Sequence, residues 1–168
     1  MIITINGNSM KFDQPQPLSV IIRAMLPDIC EQVFACFVNG AVIELKSIVD
    51  ESAELIPITY REEEGKRIYE RSLRFVLLLA AKELFPDYNV RIEHSIGQGV
   101  YLELEGRRLY PGDVEALEGM MRDFIKRNLP FVRTRWSREE AIDYFLAQGE
   151  QDKANLLSYR PYNYFDIY

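Results

Sequence analysis

The sequence predicts an α+β protein in two parts, and three observations carry that reading. β-rich runs punctuated by Asn-Gly turns fill the first 60 residues around one helical pattern. A charged, glycine-broken segment follows at Tyr60–Lys66, and beyond it long helical patterns alternate with short strands. The 168 residues suffice for one ordinary domain or two small ones, and 48% hydrophobic with 27% charged residues is a globular balance.

Ile2–Ile5 is a β-rich run, and Asn6-Gly7-Asn8 is a hairpin turn because Asn and Gly tolerate positive φ. The return strand, Ser9–Phe12, gives way to a loop holding Pro15 and Pro17. Leu18, Ile21, Ile22, Met25 and Leu26 fall at helical spacing, and Pro27 stops that helix. Val33–Val38 is a second β run, with Asn39-Gly40 turning into Ala41–Glu44. Glu54–Thr59 closes the unit, its Pro57 suggesting an edge or a bulge. Strands around one helix within 60 residues fit a β-grasp (ubiquitin-like) roll. The boundary falls at Tyr60–Lys66, giving parts 1–60 and 61–168.

The second part opens on a long amphipathic helix from Ile68 to Phe85, ended by Pro86. Val90–Ile92 and Val100–Leu104 read as strands around the turn Gly97-Gln98-Gly99. Pro111 starts a helix reaching Asn128, and Phe131–Trp136 is a strand. Ser137 and Glu140 form a capping box for a helix that Gly149 ends.

Composition excludes several classes. The longest apolar run, Phe75–Ala81, is too short to span a bilayer, and no signal peptide opens the chain, so no membrane partner and a cytoplasmic location are expected. Cys30 and Cys36 read as small buried hydrophobes; zinc spacing is absent and no metal is expected. Net charge is −6, of which residues 1–60 carry −4 and residues 61–168 carry −2, so contact with a polyanion belongs to the second part.

Val38–Ile43 continued through Ile48–Thr59 resembles the second half of a TGS domain, the β-grasp module found at the N-terminus of threonyl-tRNA synthetases. The resemblance crosses the linker through Glu63-Glu64-Gly65. It continues through Gly97–Tyr101, Asp113–Glu118, Ser137–Ala141 and Gly149–Lys153, in the order of the synthetase editing domain. It implies a TGS β-grasp domain followed by an editing-domain-like α+β domain. Editing domains open their first helix with His-x-x-x-His; here those positions are Arg71 and Phe75, and the later Cys-x-x-x-His has no counterpart. With no histidine pair there is no general base of suitable pKa, so no catalytic residue is assigned. Glu93–Tyr101 is similar to the same two domains in bacterial uridine kinase-like proteins. That similarity implies a noncatalytic ligand- or RNA-binding regulatory module preceding a kinase domain in cis. ATP and magnesium are then expected only in that following domain. The alternative is a diverged tRNA-editing-type deacylase.

Four residues are candidate ligand contacts: Arg71 on the first long helix, His94 before the hairpin turn, Tyr101 after it, and Lys153, which matches a synthetase lysine near the editing pocket. Arginine in place of a catalytic histidine favours anion binding over proton transfer. The expected ligand is a small anion, a nucleotide or RNA. Each residue also has a structural reading, as a hydrogen-bonded histidine, a solvated lysine or a surface ion pair. Arg133 and Arg135 alternate on one strand face near Arg122, Lys126, Arg127 and Arg138, and Tyr159, Tyr162, Tyr164, Phe165 and Tyr168 crowd the C-terminal stretch. These are candidates for phosphate and base contacts, or for a solvated face and domain packing.

Overall fold

A computed structural model describes the backbone of residues 1–96 and 99–168 and the side chains of 1–93 and 99–168. It is a mixed α+β structure with two compact units, Met1–Met121 and Arg122–Tyr168. The expected division near residue 60 lies inside the first unit. Among the described residues no helix is long and apolar enough to cross a membrane.

The first unit begins with β1 (Ile2–Ile5) and β2 (Asn8–Lys11), joined through Asn6 and Gly7 at φ 50° and 79°. β3 (Gln16–Pro17) and α1 (Leu18–Met25) follow, then a 3-10 turn at Cys30–Gln32. β4 (Ala35–Val38) and β5 (Ala41–Glu44) form the second hairpin, turning at Asn39 and Gly40 with φ 51° and 82°. Both turns use the positive φ that Asn and Gly accept at least cost. β6 (Ile48–Val49) pairs with β3, a two-residue ladder that the proline loop concealed in the sequence. β7 (Ala53–Ile58) completes a sheet ordered β2-β1-β7-β4-β5, in which β1 and β7 run parallel and every other pair antiparallel.

Pro57 stands in a strand flanked on both sides, not on an outer one. β1 pairing stops at Leu55, however, so at Pro57 the strand has already lost that neighbour. α1 lays Leu18, Ile21 and Ile22 on Ile3, Ile5, Cys36 and Leu55, with Val33 and Val49 closing the core. Each such fully buried aliphatic side chain contributes about 1.5–3 kcal/mol.

The segment after β7 corrects the sequence reading. The helix expected from Ile68 is α2 (Glu63–Leu84), which begins inside the expected linker. Thr59 donates its N–H and Oγ1–H to Glu62 Oε2 at 2.6 and 2.9 Å, which holds the Glu62 carboxyl below the usual carboxylate range. Arg67 pairs with Glu63 and Glu64 at 2.9 and 3.4 Å, so this charged stretch is the start of a helix and not a linker. Phe34 stacks on Tyr69 at 6.1 Å and Tyr60 meets it edge-on at 5.1 Å, fixing this turn against the sheet.

β8 (Val90–Ile96) and β9 (Gly99–Leu104) pair antiparallel with an irregularity between Ile92 and Ser95. The expected turn residues Gly97 and Gln98 lie outside the described residues. Arg107 donates to Asp113 at 2.6 Å and lies 4.4 Å over the Phe85 ring, tying the end of α2 to the start of α3 (Pro111–Lys126).

In the second unit the strand expected over Phe131–Trp136 is β10 (Thr134–Ser137), which leads into α4 (Arg138–Ala147). α5 (Gln151–Tyr159) and β11 (Tyr164–Ile167) follow, and neither was anticipated. The capping box forms as read: Ser137 Oγ accepts from Glu140 N–H, and the Glu140 carboxylate accepts from Ser137 N–H at 2.8 Å.

Candidate functional site

α2 is where the first candidate sits, and its early start sets the register. Arg71 and Phe75 occupy successive turns of α2; both are exposed, while Arg74 between them is half-buried. The side chain at position 71 is thus a guanidinium presented to solvent, able to hold an anion but not to take a proton near neutral pH.

The β8–β9 hairpin carries the next two. Tyr101 stands on β9, 45% exposed. His94 is on β8, but its side chain lies outside the described residues. Arg71, His94 and Tyr101 therefore belong to three elements of the first unit.

Lys153 lies in the second unit on α5, where its ammonium pairs with Glu150 and sits 5.4 Å over the Phe145 ring. Its first carboxylate partner is thus a neighbour from its own chain. That pairing was readable as a Glu/Lys spacing of three residues at a helix start. Among the described residues no group of three or more His, Cys, Asp or Glu is arranged to hold a metal ion.

Two residues of the basic face expected on β10 and its neighbours, Arg135 and Arg138, are held by other groups of the second unit. Arg135 donates through Nε and Nη2 to the two Asp166 oxygens at 2.9 and 3.2 Å, and its guanidinium lies 4.0 Å over the Tyr164 ring. Arg135 is raised and Asp166 lowered from their ordinary pKa values, each first by this shared hydrogen bond. Arg138 donates to the Tyr162 and Arg160 carbonyls at 2.9 and 2.5 Å, clamping the chain as it enters β11. Along β11, Tyr164, Phe165, Asp166 and Ile167 alternate exposed and half-buried with period two.

The chain is 32% identical over 157 residues to the threonine–tRNA ligase of Methylobacillus flagellatus, spanning 93% of this chain. The threonine–tRNA ligases of Azoarcus sp. and Desulforamulus reducens are 30% and 33% identical over 159 and 142 residues. This chain is related to threonine–tRNA ligase. It spans about a quarter of the length of these curated relatives, 25%, 25% and 22% respectively. No family model matches it. The relationship to threonine–tRNA ligase covers residues of both compact units, since 93% of the chain is aligned.

Proposed function

We propose that this chain is a binding module of the threonyl-tRNA synthetase lineage that has given up hydrolysis and recognises RNA or a nucleotide-like anion. The observation that carries it is on α2. The two positions that match the histidine pair of the synthetase editing domain hold Arg71 and Phe75, and the one histidine of the chain is His94. An exposed guanidinium on that helix suits anion recognition, and neither Arg71 nor Phe75 can serve as the general base that a histidine would supply.

The sheet order, with parallel β1 and β7 at its centre and α1 across it, supports reading residues 1–60 as the TGS-type β-grasp part. Residues 61–168 are then the editing-domain-like part. Arg71, His94, Tyr101 and Lys153 remain its candidate ligand contacts. A second reading, the leading region of a uridine kinase-like protein, rests on the Glu93–Tyr101 segment.

The test is hydrolysis of mischarged seryl-tRNA by the full chain, expected at the uncatalysed rate while the tRNA itself is bound. A deacylation rate that His94→Ala or Lys153→Ala abolishes would make the chain a working deacylase and overturn this reading.

A further inference from the structure

We propose that the outer face of the β10–β11 ribbon is a platform for single-stranded RNA, with an unpaired base stacked on Tyr164 and phosphate held by Arg133. This rests on the RNA branch of the function proposed above and gives it a site. Cross-strand register puts Arg135 opposite Asp166 and Ser137 opposite Tyr164 on one face. Trp136 opposite Phe165, and Thr134 opposite Ile167, point the other way, where Trp136 meets Tyr144 edge-on at 5.0 Å. The inner face is therefore the ribbon's apolar side, and the outer one is arginine, tyrosine and aspartate.

That outer face is ordered in advance. Asp166 grips Arg135 through two hydrogen bonds at 2.9 and 3.2 Å, while the same guanidinium lies 4.0 Å over Tyr164. The tyrosine, 49% exposed, is thus backed by a flat cation and still offers ring surface to solvent. Arg133, just before the strand begins, adds its charge to the field at Asp166 and so lies near this face. The Ser137 box and the Arg138 clamp hold the Ser137–Tyr164 end of the ribbon, so stacking beside Tyr164 costs little reordering.

Composition points the same way. Residues 122–168 hold eight basic against seven acidic side chains, whereas residues 1–121 hold twelve against nineteen. Ten of the chain's twenty aromatic residues fall in those last 47 positions. One aromatic ring, one backing arginine and one further cation suit an unstacked base with its phosphate; a duplex hides its base faces. Because Asp166 neutralises Arg135, charge contributes little and stacking dominates.

The experiment is fluorescence anisotropy of the full chain with labelled oligouridylate, and with a duplex RNA of equal length. The expected result is binding of the single strand over the duplex, weakened about tenfold by Tyr164→Leu and preserved by Tyr164→Phe. Arg133→Ala should lower the slope of log affinity against log salt by about one. Circular dichroism confirms that each variant is folded, and Tyr168→Ala, at the end of the ribbon, serves if Tyr164→Leu is not. Equal affinity of wild type and both tyrosine variants for the strand, or preference for duplex, overturns the proposal. If tRNA still binds while these variants are harmless, RNA recognition stands and lies elsewhere; if no RNA binds, the platform falls together with the RNA branch of the proposed function. Self-association lost on Tyr164→Leu, without RNA binding, would assign the face to protein contacts and overturn the proposal as well.

Discussion

Gly65 shows how much one missing carbon decides. A Cβ built there would stand 1.7 Å from the Thr59 carbonyl oxygen and 3.3 Å from Ile58 Cγ2, so the first turn of α2 can approach β7 only as glycine. In the sequence this residue reads as a helix breaker inside a linker, since Gly65 among Glu62, Glu63, Glu64 and Lys66 has no visible reason to be close to anything. The reason is a contact with backbone, which no periodicity records. Gly65→Ala should cost about 3 kcal/mol, at the upper end of overpacking, measured by urea unfolding. Gly119, in the middle of α3, has nothing within 4 Å of the same imagined atom. Gly119→Ala should stabilise instead, by about 0.5–1 kcal/mol. Equal effects of the two substitutions would mean that the close approach does not exist.

Among the elements, α4 was the most legible, because its start is written in four consecutive residues whose chemistry is local. Ser137 and Glu140 find each other without help from any distant part of the chain. The Glu140 carboxyl is held below the usual carboxylate range first by the Ser137 hydroxyl and then by the Ser137 N–H. A depressed folded pKa means that the charged cap stabilises α4 at pH values above the ordinary carboxylate pKa. That contribution disappears as pH falls through the lowered folded value. Acid titration followed by NMR should therefore show Glu140 protonating at lower pH than an unperturbed glutamate. Ser137→Ala should bring it back toward the usual value and lower Tm by roughly 3 °C. An unchanged Glu140 midpoint in the variant would show that the hydroxyl is not what holds the charge. β11 was missed for the opposite reason. Its alternation is plain, but its partner β10 lies 27 or more residues back along the sequence, beyond α4 and α5. Dense tyrosines read as a packing or stacking surface before they read as a strand.

At the scale of the molecule, sequence pattern located the core of the first 60 residues, because Asn-Gly turns and the apolar stripe of α1 agree on one answer. It did not locate the compact units, whose division at Met121 falls within a single helix that periodicity treats as continuous. Nor did it gather the four site residues. Arg71, His94, Tyr101 and Lys153 were drawn from a resemblance, and they stand on α2, β8, β9 and α5. The relationship to threonine–tRNA ligase was legible because short segments in a fixed order carry it along most of the chain.

Cys36 has a use that its place in the core confers. Its side chain is fully buried and burial pushes its thiol up to about 12, while Cys30 is only half-buried. An alkylating reagent attacks thiolate, so at neutral pH it should modify Cys30 in the folded protein and reach Cys36 only through molecules that have opened. The two thiols form an internal clock: one keeps time with the reagent, the other with unfolding. Leu55→Ala, which removes a core side chain at a cost of about 3 kcal/mol, should speed Cys36 labelling roughly 100-fold and leave Cys30 unchanged. Mass spectrometry of timed quenches reads both rates from one sample. Acceleration of both thiols alike would place Cys36 outside the core. With the clock working, the stability of the first unit can be followed without denaturant.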